Sequence, residues 1–517
     1  MTSPLTSARA SVSIQRAGLG ALAALLLTAA CSAQAGSALH WPVDPPPPVA
    51  NHQPRLWVAL AARLGAEPGA PPLVLRSGSG PLLLQDSAGR RWSASQFTLR
   101  WQTVALPEPL PVKRLVAGPL ASFETAEHRA RQWRALGVAV TVARPAEWEL
   151  WAPPGSAVPK DWSVRTVDHH HQRAVVPALM GSAQTPQPLS GPLRLEAPGG
   201  LRWNGGVYAG PFQLQRDAHG SWSLVEQVPL ERYLEGVVPH EIGASAPAAA
   251  LAAQTVLART WALRNQHRYR VDGYHLCASV QCQVYSDPRL ATAPVRAAIR
   301  ATRDLLLTWQ REPIHAVYHA SNGGVAAPLE EAWDAQALPY LRTGRDGAAP
   351  GVGLMPLAAP LGSLAALLRD QALVGVDHPL FRWSRWLNRQ QLAQALARQG
   401  ISVGEVQRLQ VLERGTSGRV LALAIEGSGG RAVLRLDSIR RTLRTLPSTL
   451  FELQPQGAGR WQLLGGGFGH GVGLSQAGAI DLARRGWRFE RILERYYPGT
   501  RLLSLQQLTA PRSGGDP

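Results

Sequence analysis

The chain has 517 residues, 45% of them hydrophobic, which is room for about three structural units with real cores and argues against wholesale disorder. Three cysteines rule out a small disulfide framework, and 50 glycines with 42 prolines make the chain turn-rich without any collagen-like period. A formal charge of +18, carried by arginine because Lys113 and Lys160 are the only lysines, asks for an anionic partner: nucleic acid, an acidic membrane surface, or an anionic polymer such as cell-wall glycan.

Residues 1–16 carry Arg9 and Arg16 and no acid, and residues 17–30 (AGLGALAALLLTAA) form an apolar stretch too short to span a bilayer comfortably. Ala33-Gln34-Ala35 follows as a small-x-small cleavage site, so residues 1–35 read as a secretory signal. Cys31 raises a rival reading, a lipoprotein acylated there. Thr28 stands where a larger aliphatic residue is usual, and cleavage near Ala35 is preferred. No later stretch reaches the ~18–20 unbroken apolar residues of a membrane span. The expected location is therefore exported, in the periplasm or cell wall, with a Cys31 lipid anchor as the alternative. Export removes nucleic acid from the expected partners.

Residues 36–54, with Pro45 to Pro48, read as an extended linker. Residues 55–190 open with RLWVAL and continue as short strand-like runs between Gly and Pro turns, a β-rich region. One amphipathic helix is expected at 122–137. Trp133, Trp148, Trp151 and Trp162 are candidates for stacking on sugar faces if exposed. His169-His170-His171 reads as a solvated loop, because adjacent side chains cannot all face one ion.

Residues 191–228 alternate as a strand meander. The pattern then turns helical: VPLERYLEGVVP, then 247–268 with Ser245 as N-cap and Leu251, Ala252, Val256 and Leu263 as the buried face. Glu231 and Glu235 read as surface acids pairing with Arg232 or another arginine. Residues 294–302 form a helix, and 305–321 two strands around Gln310–Pro313. Residues 341–385 look irregular. A helix at 389–399, a hairpin turning at Ser417-Gly418 and a helix from Asp437 follow. Two helices close the chain after Gly465-Gly466-Gly467.

Four segments are long, ordered and unusual: VVPHEIGASAPAAALAAQTVLARTWAL (237–263), YHASNGG (318–324), GGGFGHGVGLSQAGAIDLARRG (465–486) and YYPGT (496–500). Together they resemble the SpoIID/LytB family, whose members act on bacterial peptidoglycan. The resemblance covers at least residues 191–505 and extends loosely to RLWVAL at 55. It implies an α+β fold, a SpoIID-like core of helices packed on antiparallel strands, preceded here by the β-rich N-terminal region. The expected division is signal 1–35, linker 36–54, β-rich region 55–190, first core part 191–345, inserted α/β region 346–464, second core part 465–505 and a disordered tail 506–517.

On spacing alone, Glu241 is an acid complementing a helix N-terminus. The resemblance makes it the catalytic acid of a lytic transglycosylase, which cuts the MurNAc–GlcNAc bond with one carboxylate where ordinary glycosidases need two. Peptide-stripped glycan strands are the implied substrate and 1,6-anhydroMurNAc ends the product. The LytB branch implies a second function: a non-enzymatic, peptidoglycan-binding enhancer of a cell-wall amidase.

Gln254 and Arg259 are polar groups on an Ala/Leu helix, about 140° apart at 100° per residue. The resemblance turns at least one toward the cleft, and Arg259 would suit the lactyl carboxylate of MurNAc. Tyr318, His319, Ser321 and Asn322, at a strand end entering the Gly323-Gly324 turn, are candidates for lining a sugar cleft. So are His470 and Gln476 in the glycine-rich GFGHGVGLSQ. Cys277 and Cys282, with four residues between them, suggest a local disulfide in an exported protein. The alternative is zinc with His275 and His267 as further ligands. Some SpoIID-like sequences carry a His directly before the second Cys, and Gln281 stands there in this chain. The disulfide is therefore preferred and no cofactor is expected.

Overall fold

The structure is a computed structural model describing residues 38–50, 52–180, 186–347, 353–355, 364–457 and 459–509. The expected signal and Cys31 lie outside the described residues. Helices and antiparallel strands both contribute heavily, so the fold is α+β with a β-rich N-terminal region.

A seven-stranded sheet carries the body of the molecule. Its order is Leu276–Cys277, Arg55–Leu64, Trp222–Pro229, Phe212–Arg216, Leu193–Glu196, Leu82–Gln85, Arg91–Ala94. Strand Arg55–Leu64 runs antiparallel to Trp222–Pro229, with Leu56 opposite Val228 and Val58 opposite Glu226. Leu56 and Val58 point to one face, as period-two alternation requires, and both are fully buried. Residue 190 is therefore no boundary: the expected N-terminal region and the first core part share one sheet.

A second sheet is built around a long ribbon, Gln96–Leu120 against Val164–Met180. The ladder breaks between Ala105 and Leu110, where Pro107 and Pro109 offer no N–H to it. His169, His170 and His171 pair with Val112, Pro111 and Leu110, so this stretch is strand rather than loop. The expected linker is also pinned down. Ala38 N–H donates to Pro111, and the buried Trp41 packs on the Arg216 guanidinium, 4.9 Å away.

Helix Phe123–Arg134 starts at Ser122, whose hydroxyl accepts from Thr125 N–H. Trp133, Trp148 and Trp151 are buried core residues.

Helix Ala248–Arg264 is the hub. It is apolar all round and buried on every side from Ala250 to Leu263. Helices Ala293–Ala301, Gln476–Arg484 and Phe489–Tyr496 and strand Leu305–Trp309 pack on it. It begins after Pro247 with no side-chain cap, so Ser245 does not take the N-cap position.

The inserted region forms two three-stranded sheets around a separate core that includes Leu392, Leu423, Ile425, Phe451 and Leu463. Its turn at Gly415–Arg419 docks into the main body. Arg419, fully buried, donates to Asn322 O at 2.9 Å and Val325 O at 3.1 Å, and Ser417 N–H donates to Glu331. Leu505–Thr509 is a short helix rather than part of a loose tail. Among the described residues no helix is long and apolar enough to cross a membrane.

Candidate active site

Helix Leu230–Val238 buries Leu230, Tyr233, Leu234 and Val237 and runs straight into a π-helical turn, Pro239–Gly243. A π turn adds one residue to the winding and re-aims the side chain it carries. Gly243, at φ 87°, supplies the left-handed exit. Glu241 sits in this turn and faces a cleft of about 360 Å³. Trp148, Trp261, Val317, Trp333 and the Phe123 ring supply the apolar part of that cleft's walls, and Ser122, Glu124, Arg268 and Gln281 the polar part.

Two donors reach the Glu241 carboxyl. Val284 N–H lies 3.2 Å from Oε1, and the Tyr318 hydroxyl bonds to the carboxyl. The Tyr318 oxygen accepts in turn from Gln283 Nε2 at 2.9 Å, and Gln283 Oε1 accepts from the Tyr233 hydroxyl at 3.2 Å. The donors therefore run one way, from Tyr233 through Gln283 and Tyr318 to Glu241. Burial pushes the Glu241 carboxyl up from its ordinary value, with Val284 and Tyr318 opposing.

Glu124 lines the same cleft, brought there by the N-terminal helix. It is ion-paired with Arg268, whose guanidinium lies over the Phe123 and Trp261 rings at 4.2 and 4.8 Å. Burial opposes the Glu124 charge, but Arg268 and His315 outweigh it and hold the carboxyl below its ordinary value. The cleft thus presents one carboxyl that holds its proton more tightly than usual and one fixed carboxylate. Glu124, Ser122 and Trp148 are far in sequence from the Glu241 segment, and nothing in their own spacing marks them.

Of the residues expected in the cleft, the structure brings together Glu241, Tyr318 and His470. His470 is a wall rather than a free hydrogen-bonding group. Nε2 donates to Tyr318 O at 2.9 Å, Nδ1 accepts from Val472 N–H at 3.1 Å, and the ring packs 4.7 Å from Trp333. Burial pushes its pKa down to about 3. His319 is buried behind it, ring centroids 5.1 Å apart, with Nδ1 3.1 Å from Val472 O. The glycines serve this packing: a Cβ on Gly469 would stand 2.6 Å from His319 Cβ.

The others lie elsewhere. Arg259 is wholly buried, and its fork is filled by Glu231, Nε to Oε1 and Nη2 to Oε2 both at 2.8 Å. It has no free edge for a lactyl carboxylate, and Glu231 is not a simple surface acid; Glu235 does pair with Arg232. Gln254 is buried and accepts from Gln476 Nε2 at 3.2 Å. Ser321 Oγ accepts from Gly323 N–H at 3.3 Å, and Asn322 bonds Gly324 N–H and Asp346 at 2.9 and 2.8 Å. Both shape the turn. Asp346 also takes Arg495 and the Tyr496 hydroxyl, a buried network unmarked in the sequence.

Cys277 and Cys282 are joined as a disulfide, Cα atoms 5.7 Å apart. It clamps a loop whose Val280 stands 80% exposed at the cleft rim, two residues before Gln281 and Cys282 give way to Gln283 and Val284. His275 is not free to join a zinc site. Nδ1 accepts from Trp57 N–H and Nε2 faces Pro47 O, both at 2.9 Å. Burial holds its pKa at about 4. His267 packs on Phe123 instead, ring centroids 5.6 Å apart. Among the described residues no group of three His, Cys, Asp or Glu is placed to hold a metal.

A helix, a π turn carrying a part-buried acid, and a buried hub helix build the α+β core around the cleft, and it can be compared with known proteins. Residues 218–309 match the family model described as Stage II sporulation protein, and residues 327–473 match a domain of unknown function, DUF8618. The chain is 27% identical over 297 residues to the amidase enhancer of Bacillus subtilis (strain 168), covering 52% of this chain and 40% of that protein. It is 26% identical over 293 residues to stage II sporulation protein D of the same strain, covering 54% and 75%. The namesake from Bacillus amyloliquefaciens is 27% identical over 297 residues, covering 53% and 74%. These matches support the resemblance to the SpoIID/LytB family, with the family segment at residues 218–309.

Proposed function

We propose that the protein is a peptidoglycan lytic transglycosylase with Glu241 as its single acid and base. The observation that supports this most is the pairing state of the cleft. Glu241 is the one acid there whose proton affinity is raised by burial, while Glu124 is tied to Arg268. A protonated Glu241 would donate to the glycosidic oxygen between MurNAc and GlcNAc, breaking the C1–O bond. The carboxylate left behind would take the proton of the MurNAc C6 hydroxyl as its oxygen bonds to C1. The product is a 1,6-anhydro end, and no water is consumed. A single carboxyl alternating between acid and base needs a proton affinity above the usual carboxyl range, and burial raises that of Glu241. The reaction uses no cofactor.

The proposed setting is outside the cytoplasm, on the wall. The charge of +18 would hold the chain on anionic polymer through salt-sensitive contacts. A second reading, enhancement of a wall amidase without cleavage, is supported by the name of the Bacillus subtilis relative.

Mass spectrometry of glycan strands incubated with the protein and with Glu241→Gln tests the proposal. AnhydroMurNAc ends made by the parent and lost in the variant are expected. Reducing ends would mean hydrolysis. No cleavage by a folded, glycan-binding protein that accelerates an amidase would put the second reading first.

A further inference from the structure

Both groups that hold the Glu241 carboxyl depend on one short loop. Val284 donates its N–H to Oε1 at 3.2 Å. Gln283 donates to the Tyr318 oxygen at 2.9 Å and accepts from the Tyr233 hydroxyl at 3.2 Å. Gln283 and Val284 directly follow Cys282, which is bonded to Cys277. Val280, Gln281, Cys282 and Val284 also line the cleft. The loop is therefore a wall of the cleft and the carrier of its donors at once.

The ends of the loop are anchored. Leu276 and Cys277 pair with Val58 and Ala59, Ala278 N–H donates to Ala59 O at 3.1 Å, and Ser286 N–H donates to Gly236 O at 3.0 Å. The middle is held more lightly. Ser279, Val280 and Gln281 are exposed. Cys282 N–H bonds back to Ser279 O at 3.0 Å, Tyr285 N–H to Ala278 O at 3.1 Å, and Arg268 reaches Gln281 O at 3.0 Å. A segment with few buried contacts opens at low cost, and here the disulfide ties it shut. The two sulfurs are not equivalent. Cys282 Sγ accepts from Cys277 N–H at 3.0 Å, whereas Cys277 Sγ lies 3.4 Å from the hydroxyl of exposed Ser279. A hydrogen bond stabilises a departing thiolate, so Cys277 is the sulfur attacked and Cys282 the one that leaves.

We propose that Cys277 and Cys282 are positioning residues for Glu241, acting through Gln283 and Val284, and that opening their bond with a dithiol disables the cleft while the fold stands. This deepens the reading of Glu241 as the acid and rests on it. One thiolate of the dithiol attacks Cys277 Sγ and releases Cys282 as thiolate; the second thiol then displaces Cys277. The protein takes up two electrons and, at the two sulfurs, two protons, and the dithiol becomes a cyclic disulfide. The freed loop carries Val284 N–H away from Oε1 and lets water in beside the carboxyl. The other titratable groups around it, Glu124, Arg268, His470, Tyr318 and Tyr233, come from other segments.

The test compares the full chain, oxidised and after dithiothreitol, with Cys277→Ser/Cys282→Ser treated alike. Hydrogen exchange read by mass spectrometry should speed up over residues 278–285 on reduction and stay slow in helix Ala248–Arg264. Release of anhydro ends should fall about tenfold or more, in kcat rather than KM, as for a small misplacement of a reacting group. Burial is the largest influence on the Glu241 carboxyl, so admitting water should move the high-pH decline of activity down toward the ordinary 4.5. Reoxidation should reverse all of these. The double variant should behave as the reduced protein and ignore dithiothreitol. Full activity with both thiols free, unchanged exchange over 278–285, or exchange that rises equally in the hub helix overturns the proposal. Two outcomes separate it from the Glu241 reading. Faster loop exchange on reduction, with no anhydro ends even from the oxidised protein, sinks the Glu241 chemistry and leaves the loop's tie standing. Anhydro ends that survive reduction sink the positioning role alone.

Discussion

Arg259 and Glu231 meet edge to edge, two parallel hydrogen bonds of 2.8 Å joining the hub helix to the helix that leads into Glu241. Arg259 Nη1 also donates to Leu305 O at 3.2 Å, on the strand beside it. The arginine is fully buried and the Glu231 side chain 21% exposed. Arg259 therefore locks the approach to the site rather than touching what enters it. Truncation to Ala leaves Glu231 without its partner, partly relieved by water, and should cost about 3 kcal/mol of stability. Chemical denaturation would read this directly. Glycan affinity of the folded fraction should not change; a tenfold loss of affinity at full stability would restore Arg259 to the binding surface.

Much of the site was legible because the SpoIID-like segments are long and rigidly ordered. Glu241 and Tyr318 come from separate segments and meet, and the hairpin turn at Ser417-Gly418 falls where the turn residues put it. What misled was polarity. Gln254 and Arg259 look like cleft residues because they interrupt an apolar helix. A helix buried all round has no cleft side, and each polar group is matched by a partner 222 or 28 residues away. His319, Ser321 and Asn322 are held in the same way, because glycine-rich turns need polar residues to hold their own backbone. The far wall was illegible, since Glu124 meets Arg268 across 144 residues. No local pattern encodes that approach.

Glu241 makes the fold pH-sensitive in a defined direction. Its pKa is raised above the ordinary 4.5, so the folded state prefers the neutral acid. The stability it contributes is complete below 4.5 and is lost as pH rises through the raised value. Glu241→Gln, neutral at every pH, removes that loss. The variant should match the parent in thermal melts below pH 4.5 and be the more stable of the two at neutral pH. A stability difference that does not vary with pH would mean that burial is not straining the carboxylate.

The Tyr318 hydroxyl lowers the Glu241 pKa by bonding to the charged form. Tyr318→Phe removes that bond and keeps the ring against the cleft wall. In the proposed reaction cleavage requires the acid form, so activity would decline as pH rises through the Glu241 pKa. That decline should move to higher pH in Tyr318→Phe, measured as anhydro ends released across a pH series. Rate at the optimum should fall as well, since the chain from Tyr233 through Gln283 no longer orients the carboxyl. An unshifted decline would show that another group sets it.

The shared sheet makes residue 190 an impossible place to cut. Strand Arg55–Leu64 lies between Trp222–Pro229 and Leu276–Cys277, so a chain starting at residue 191 loses a central strand rather than an edge. Leu56 and Val58 leave the core with it, at about 1.5–3 kcal/mol each. Trp57 N–H leaves His275, and Ser122, Phe123, Glu124 and Trp148 leave the cleft. Arg268 is then a buried cation without its carboxylate, a further loss of about 3–5 kcal/mol. These deficits approach the whole stability of an ordinary domain. The chain 191–517 should therefore show no cooperative melt, although it retains every SpoIID-like segment, and residues 38–190 supplied as a second chain should restore one. A soluble 191–517 chain with a sharp melt and intact glycan cleavage would mean that the N-terminal strands only cover the core and that Glu124 and Arg268 are dispensable to the site.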